Sequence, residues 1–176
     1  MTLYRVITIL LALICLAFGV LYVFVIPQKP SWNAKIPRLR VAGIILGVAA
    51  LVYCAYAGCE MLPGSKWCKL FWGMVPVAAV LLGYYMDYLF ARAFGGVLII
   101  LANYVIQHAF AYHCAAKPLY AIVALLWGLA GTIFLAWPWT MREFGNKCAA
   151  NKNIRVTTLA ASAISALILT ILRFLG

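Results

Sequence analysis

Six long apolar runs separated by short polar breaks make up most of the chain: Val6–Ile26, Val41–Leu62, Leu70–Phe90, Phe94–Ala116, Leu119–Trp139 and Ile154–Leu172. A helix rises about 1.5 Å per residue, so about 20 residues cross a hydrocarbon core roughly 30 Å thick. Each run meets that length. The runs are also continuously apolar, whereas barrel strands alternate apolar and polar residues over about ten positions. The pattern therefore predicts an all-α, polytopic integral membrane helix bundle with about six transmembrane helices, organised as a single membrane domain over residues 1–176.

Arg5 precedes the first run as an n-region charge would precede a signal peptide. The run is too long for a typical signal core, however, and ends in Val25-Ile26-Pro27-Gln28-Lys29 without a small-x-small cleavage site. Nor does Ile14 before Cys15 offer the small residue expected ahead of a lipidated cysteine. The run is expected to remain as an anchor.

Composition fits the span pattern, with 68% hydrophobic and 10% charged residues, far from the balance of soluble domains. The basic residues also set an orientation. With six spans, the side holding the termini carries Arg5, Lys66, Lys69, Lys117 and Arg173. The other carries Lys29, Lys35, Arg38, Arg40, Arg92, Arg142, Lys147, Lys152 and Arg155. Short loops rich in Lys and Arg stay in the cytoplasm. The loops Pro27–Arg40 and Thr140–Asn153 are thus expected inside, and both termini are expected to be extracytoplasmic, at the cell (inner) membrane. The net charge of +11 then reads as attraction of the inner loops to anionic lipid headgroups. Neither loop interleaves basic and aromatic residues in a nucleic-acid pattern.

Trp32, Trp67, Trp72, Trp137 and Trp139 fall near span ends, where an indole rests at headgroup level, while Trp127 lies in mid-span. The stretch Trp137-Pro-Trp-Thr-Met-Arg-Glu-Phe reads as an interfacial anchor in which a proline ends the fifth span. Small residues at Gly43 and Gly47, and at Thr157, Ala161 and Ser165, are spaced to let neighbouring helices approach closely.

Polar residues inside the membrane carry most of the candidate chemistry, because burying them in hydrocarbon is costly. They are Asp87 and Arg92 at the inner ends of the third and fourth spans, and Asn103, Gln107, His108 and His113 on the fourth. Asn103 falls about 14 Å along its helix from Phe94, near the bilayer midplane, and Gln107 shares its face. Both are expected to face other helices or an internal cavity. They act there either as interhelical hydrogen-bond glue or as the lining of a solute path with Asp87 and Arg92 at its mouth. Asp87 and Arg92 each oppose a helix dipole, so the two are expected to neutralise one another, unless Asp87 pairs with Arg40, Arg142 or Arg155.

A second cluster gathers on the termini side: Cys59, Glu60 and Cys68, with His113 and Cys114. A Cys59–Cys68 disulfide fits an oxidising compartment. A zinc site drawn from the same set is the sharper alternative, though Cys-x8-Cys matches no usual knuckle. Inert thiols are the third reading.

No redox Cys-x-x-Cys, phosphate-binding glycine loop, His-Glu-x-x-His or nucleophile elbow is present. Glu60 and Asp87 fall near opposite faces, so they form no catalytic carboxylate pair. His108 and His113 share one helix and do not offer facing haem ligands. The sequence assigns no cofactor and no catalytic residue. It is expected to encode a non-enzymatic accessory or assembly subunit that packs against a membrane-protein partner. A small solute or ion carrier using the fourth span is the runner-up, and a membrane redox or metal-binding protein comes third.

Overall fold

The computed structural model describes residues 2–28, 30–61, 67–111 and 117–174, and every regular element among them is helical. Helix α1 (Thr2–Val20) widens into a π turn at Leu21–Val25 and continues as the short α2 (Ile26–Gln28). Next come α3 (Pro30–Lys35), a 3-10 turn at Ile36–Arg38, α4 (Arg40–Met61), α5 (Trp67–Tyr85) and α6 (Leu89–Ala111). The chain closes with α7 (Lys117–Ala136), α8 (Thr140–Ala150) and α9 (Lys152–Phe174). Six stretches are long and apolar enough to cross a bilayer: Val6–Gln28, Arg40–Met61, Trp67–Tyr85, Leu89–Ala111, Pro118–Ala136 and Lys152–Thr170. The protein is an integral membrane helix bundle.

The core is built around α6, whose Leu98, Val105 and Ala109 are fully buried among α1, α4 and α7. Glycines set how closely these helices approach. A Cβ on Gly131 would fall 2.7 Å from Gly95 O, and one on Gly43 would fall 2.7 Å from Phe90 N. Either methyl would collide with backbone, so α6 packs main chain to main chain on α7 and on α4. Across the bundle α9 lies along α1, where Gly19 leaves room for Ser162.

Four boundaries and faces differ from the sequence reading. The third span ends at Tyr85, and the turn to the fourth is Met86-Asp87-Tyr88 rather than Ala91-Arg92-Ala93. Tyr88 turns the chain with a positive φ of 57°, which lets Leu89 to Ala93 join α6 as its first turns. The fifth span stops at Ala136, since Pro138 cannot extend the ladder and biases the residue before it away from helix. Both basic loops hold helices. In α8, Met141, Gly145 and Cys148 are buried on one side while Glu143 and Lys147 are exposed on the other. The contact stripe of the sixth span is also rotated from the expected one. Ser162, Ala166 and Leu169 are buried, whereas Thr157 and Ala161 are exposed and Ser165 is half-buried.

Candidate functional site

The fourth-span polar residues lie on α6, which begins five positions earlier than hydropathy placed it. Asn103 is therefore roughly 21 Å from Leu89 and roughly 12 Å from Ala111 along the helix axis. It sits beyond mid-helix, toward the end where the chain turns back into α7. Its side chain and that of Gln107 are exposed on the outer surface of the bundle, and Gln107 Nε2 donates to Asn103 Oδ1 at 3.4 Å. This corrects the expectation that both face other helices or an internal cavity. The buried side of α6 is Leu98, Ala102, Val105 and Ala109, and the small residues at 102 and 109 are what let α1 and α7 close on that side. The amides are left on the opposite arc. The side chain of His108, and the whole of His113 and Cys114, lie outside the described residues.

Asp87 and Arg92 do not neutralise one another. Asp87 is exposed in the turn, where its charge acts on Arg38 and Tyr88, while Arg92 Nη1 reaches Met86 Sδ at 3.8 Å. Arg92 Nε is buried with no hydrogen-bond partner among the described residues. The physical reason is the shifted boundary. With Arg92 in the first turns of α6 rather than in the loop, its guanidinium reaches the Met86 end of the turn and not the Asp87 carboxylate.

Arg38 is the cation that organises this end of the bundle. Its Nη2 donates to the Tyr88 hydroxyl at 3.0 Å, and its guanidinium carbon stands 5.0 Å from the Tyr88 ring centroid. That hydrogen bond holds the Tyr88 phenol below its usual range and raises Arg38 in turn. Beside it, Asn33 is buried and donates from Nδ2 to Arg142 O at 2.9 Å and to Asn146 Oδ1 at 2.7 Å, pinning α3 to α8. Asn151 joins α8 to α9, its Oδ1 capping the N–H of Asn153 at 3.1 Å. Burial pushes the Cys148 thiol up, against the pull of Thr158 and Arg155.

At the other end, Cys59 and Cys68 are joined in a disulfide, with Cα atoms 4.9 Å apart. Bonded sulfurs are not thiolate ligands, so the Cys, His and Glu set loses two of its members. Glu60 accepts a hydrogen bond from the Tyr56 hydroxyl at 2.7 Å. No group of three metal-ligating side chains occurs among the described residues.

Two of these residues, Asn33 and Tyr88, were not singled out by the sequence and look like ordinary loop or interfacial residues until the fold brings partners to them. Glu143 and Lys147 carried a usable signal, since their spacing of four places them on one helical face. Compared with known protein families, curated proteins and solved structures, the chain finds no match.

Proposed function

We propose that this protein is a non-enzymatic subunit of a membrane assembly, and that α6 receives a transmembrane helix of its partner along the Asn103–Gln107 face. The observation that carries this reading is the outward placement of two amides on a spanning helix. Each amide offers donors and acceptors, and one mutual hydrogen bond leaves most of them unsatisfied in hydrocarbon, where an unpaired polar group costs several kcal/mol. A partner helix bearing its own polar side chain removes that cost, at about 0.6 to 2 kcal/mol per interhelical hydrogen bond. The membrane is the cell membrane, with the basic loops and α8 on its cytoplasmic side against anionic lipids and both termini outside.

A photo-crosslinking residue at Gln107 in native membranes tests the assembly. It should yield an adduct of defined mass. The same residue at Val80, exposed on α5, should yield none. The double change Asn103→Leu and Gln107→Leu should abolish the partner's copurification yet leave the melting temperature of the isolated chain unchanged. No adduct, or a large loss of intrinsic stability, would overturn the reading. An adduct of twice the chain mass would replace the foreign partner with a second copy. Reporter fusions at each terminus test the orientation, which cytoplasmic activity at either end would refute.

A further inference from the structure

Helices α7 and α9 are held by different neighbours, α7 by α6 and α9 by α1, and between them they leave a cleft of about 620 Å³. That volume lies within the roughly 300–1,000 Å³ of small-molecule sites. Phe18 and Trp127 form its floor in an edge-to-face pair 5.8 Å apart. Its mouth is α8, with Glu143 and Lys147 both exposed there.

Three observations define what fits. The cleft is about one leaflet deep: along α9 its lining runs from Thr157 to Ser165, roughly 12 Å at the helical rise, against half of a core roughly 30 Å thick. The hydroxyls along α9 have no hydrogen left to donate to a polar solute. Thr157 and Thr158 both donate to Ile154 O, Ser162 to Leu159 O and Ser165 to Ala161 O, so the wall is less polar than its sequence and presents acceptors only. Charge is confined to the mouth, where a carboxylate and an ammonium four residues apart have Cβ atoms about 5–6 Å from one another. Neither makes an ion pair among the described residues.

We infer that the cleft between α7 and α9 binds one membrane phospholipid with a zwitterionic, primary-amine headgroup. An acyl chain lies against Phe18 and Trp127, the phosphate faces Lys147 and the ammonium faces Glu143. A purely anionic headgroup would satisfy Lys147 and be repelled by Glu143. A quaternary amine would meet Glu143 without an N–H to donate.

The test reconstitutes the full chain in vesicles of equimolar dioleoyl phosphatidylethanolamine, phosphatidylglycerol and phosphatidylcholine, extracts it gently, and reads retained lipid by native mass spectrometry. One phosphatidylethanolamine should be retained in about tenfold preference over either competitor. Glu143→Lys, on the exposed side of α8, should move the preference to phosphatidylglycerol. Ala161→Trp, which fills the cleft, should remove the retained lipid altogether. Because Ala161→Trp can also disturb folding, the headgroup switch in Glu143→Lys is the deciding result. Equal retention of the three lipids by the natural protein, or an unchanged preference in Glu143→Lys, would overturn the assignment.

Discussion

The phenol of Tyr22 donates to the backbone carbonyl oxygen of Met141 at 3.1 Å, although the two residues lie 119 positions apart. Tyr22 falls in the π turn that widens the first span, and Met141 lies in the first turn of α8. Both side chains are almost wholly buried. The bond thus fastens α8 onto the bundle, while the Tyr22 ring packs 5.3 Å from that of Phe144.

Tyr22→Phe keeps the ring and removes only the hydroxyl. It should lower stability in detergent by about 0.5–1.5 kcal/mol, the net value of one buried hydrogen bond. Thermal melting monitored by near-UV circular dichroism reads this, and an unchanged midpoint would show that the bond contributes nothing.

A second prediction concerns Gly145, where an added Cβ would collide with the Asn33 carboxamide. Gly145→Ala should cost roughly 1–3 kcal/mol by overpacking. Asn33→Ala alone should cost about 1–3 kcal/mol through the unpaired Arg142 carbonyl and Asn146 side chain it leaves behind. The two changes combined should cost less than their sum, because the methyl then has space, and a double-mutant cycle measures that coupling. Strict additivity would mean the two residues do not meet.

Titration supplies a third. The Tyr88 phenol is held below its usual value by the Arg38 hydrogen bond, so absorbance near 295 nm should show it ionising at lower pH than an unperturbed tyrosine. Arg38→Gln should move that transition upward, and Tyr88→Phe should delete it. For an acid depressed in the folded state, the added stabilisation is complete above the unfolded value of about 10. It is lost as pH falls through the lower folded value, so at neutral pH the pair should make no titration-linked contribution.

Redox state gives a fourth. In denatured protein, Cys59 and Cys68 should react with maleimide only after reduction, whereas Cys148, a free thiol, should react before it. In the folded protein Cys148 should react slowly, since it is buried and its thiol is pushed up. Labelling followed by peptide mass analysis separates these sites.

Length and apolarity made the six spans legible, because a bilayer demands about twenty apolar residues in a row. The rotation of each span was not legible. Lipid tails are as apolar as leucine, so Leu98 at the centre of the core and Leu129 on the outer surface are equivalent to any hydropathy measure. This is why Asn103 and Gln107 were expected inward: polarity was the only available guide, and the glycine and alanine contacts that orient α6 outweighed it. Helix α8 was readable in principle, since Met141, Gly145 and Cys148 recur at helical spacing. Its four-residue carboxylate and amine acquire meaning only beside a cleft that the sequence does not draw.

The third span, α5, contributes no buried residue, and its main neighbour is α4. Lifting such a helix away exposes no new surface to water, so the hydrophobic effect that opposes opening in a soluble protein is absent here. What keeps α5 at hand is largely covalent: the short connection to α4 with the disulfide that closes it at one end, and the turn Met86-Asp87-Tyr88 into α6 at the other. Its position is therefore a matter of effective concentration, in the manner of a ligand leashed to its own receptor. Reduction would lengthen that leash without cutting it, leaving each span intact and giving the surrounding lipid a larger share in where α5 rests.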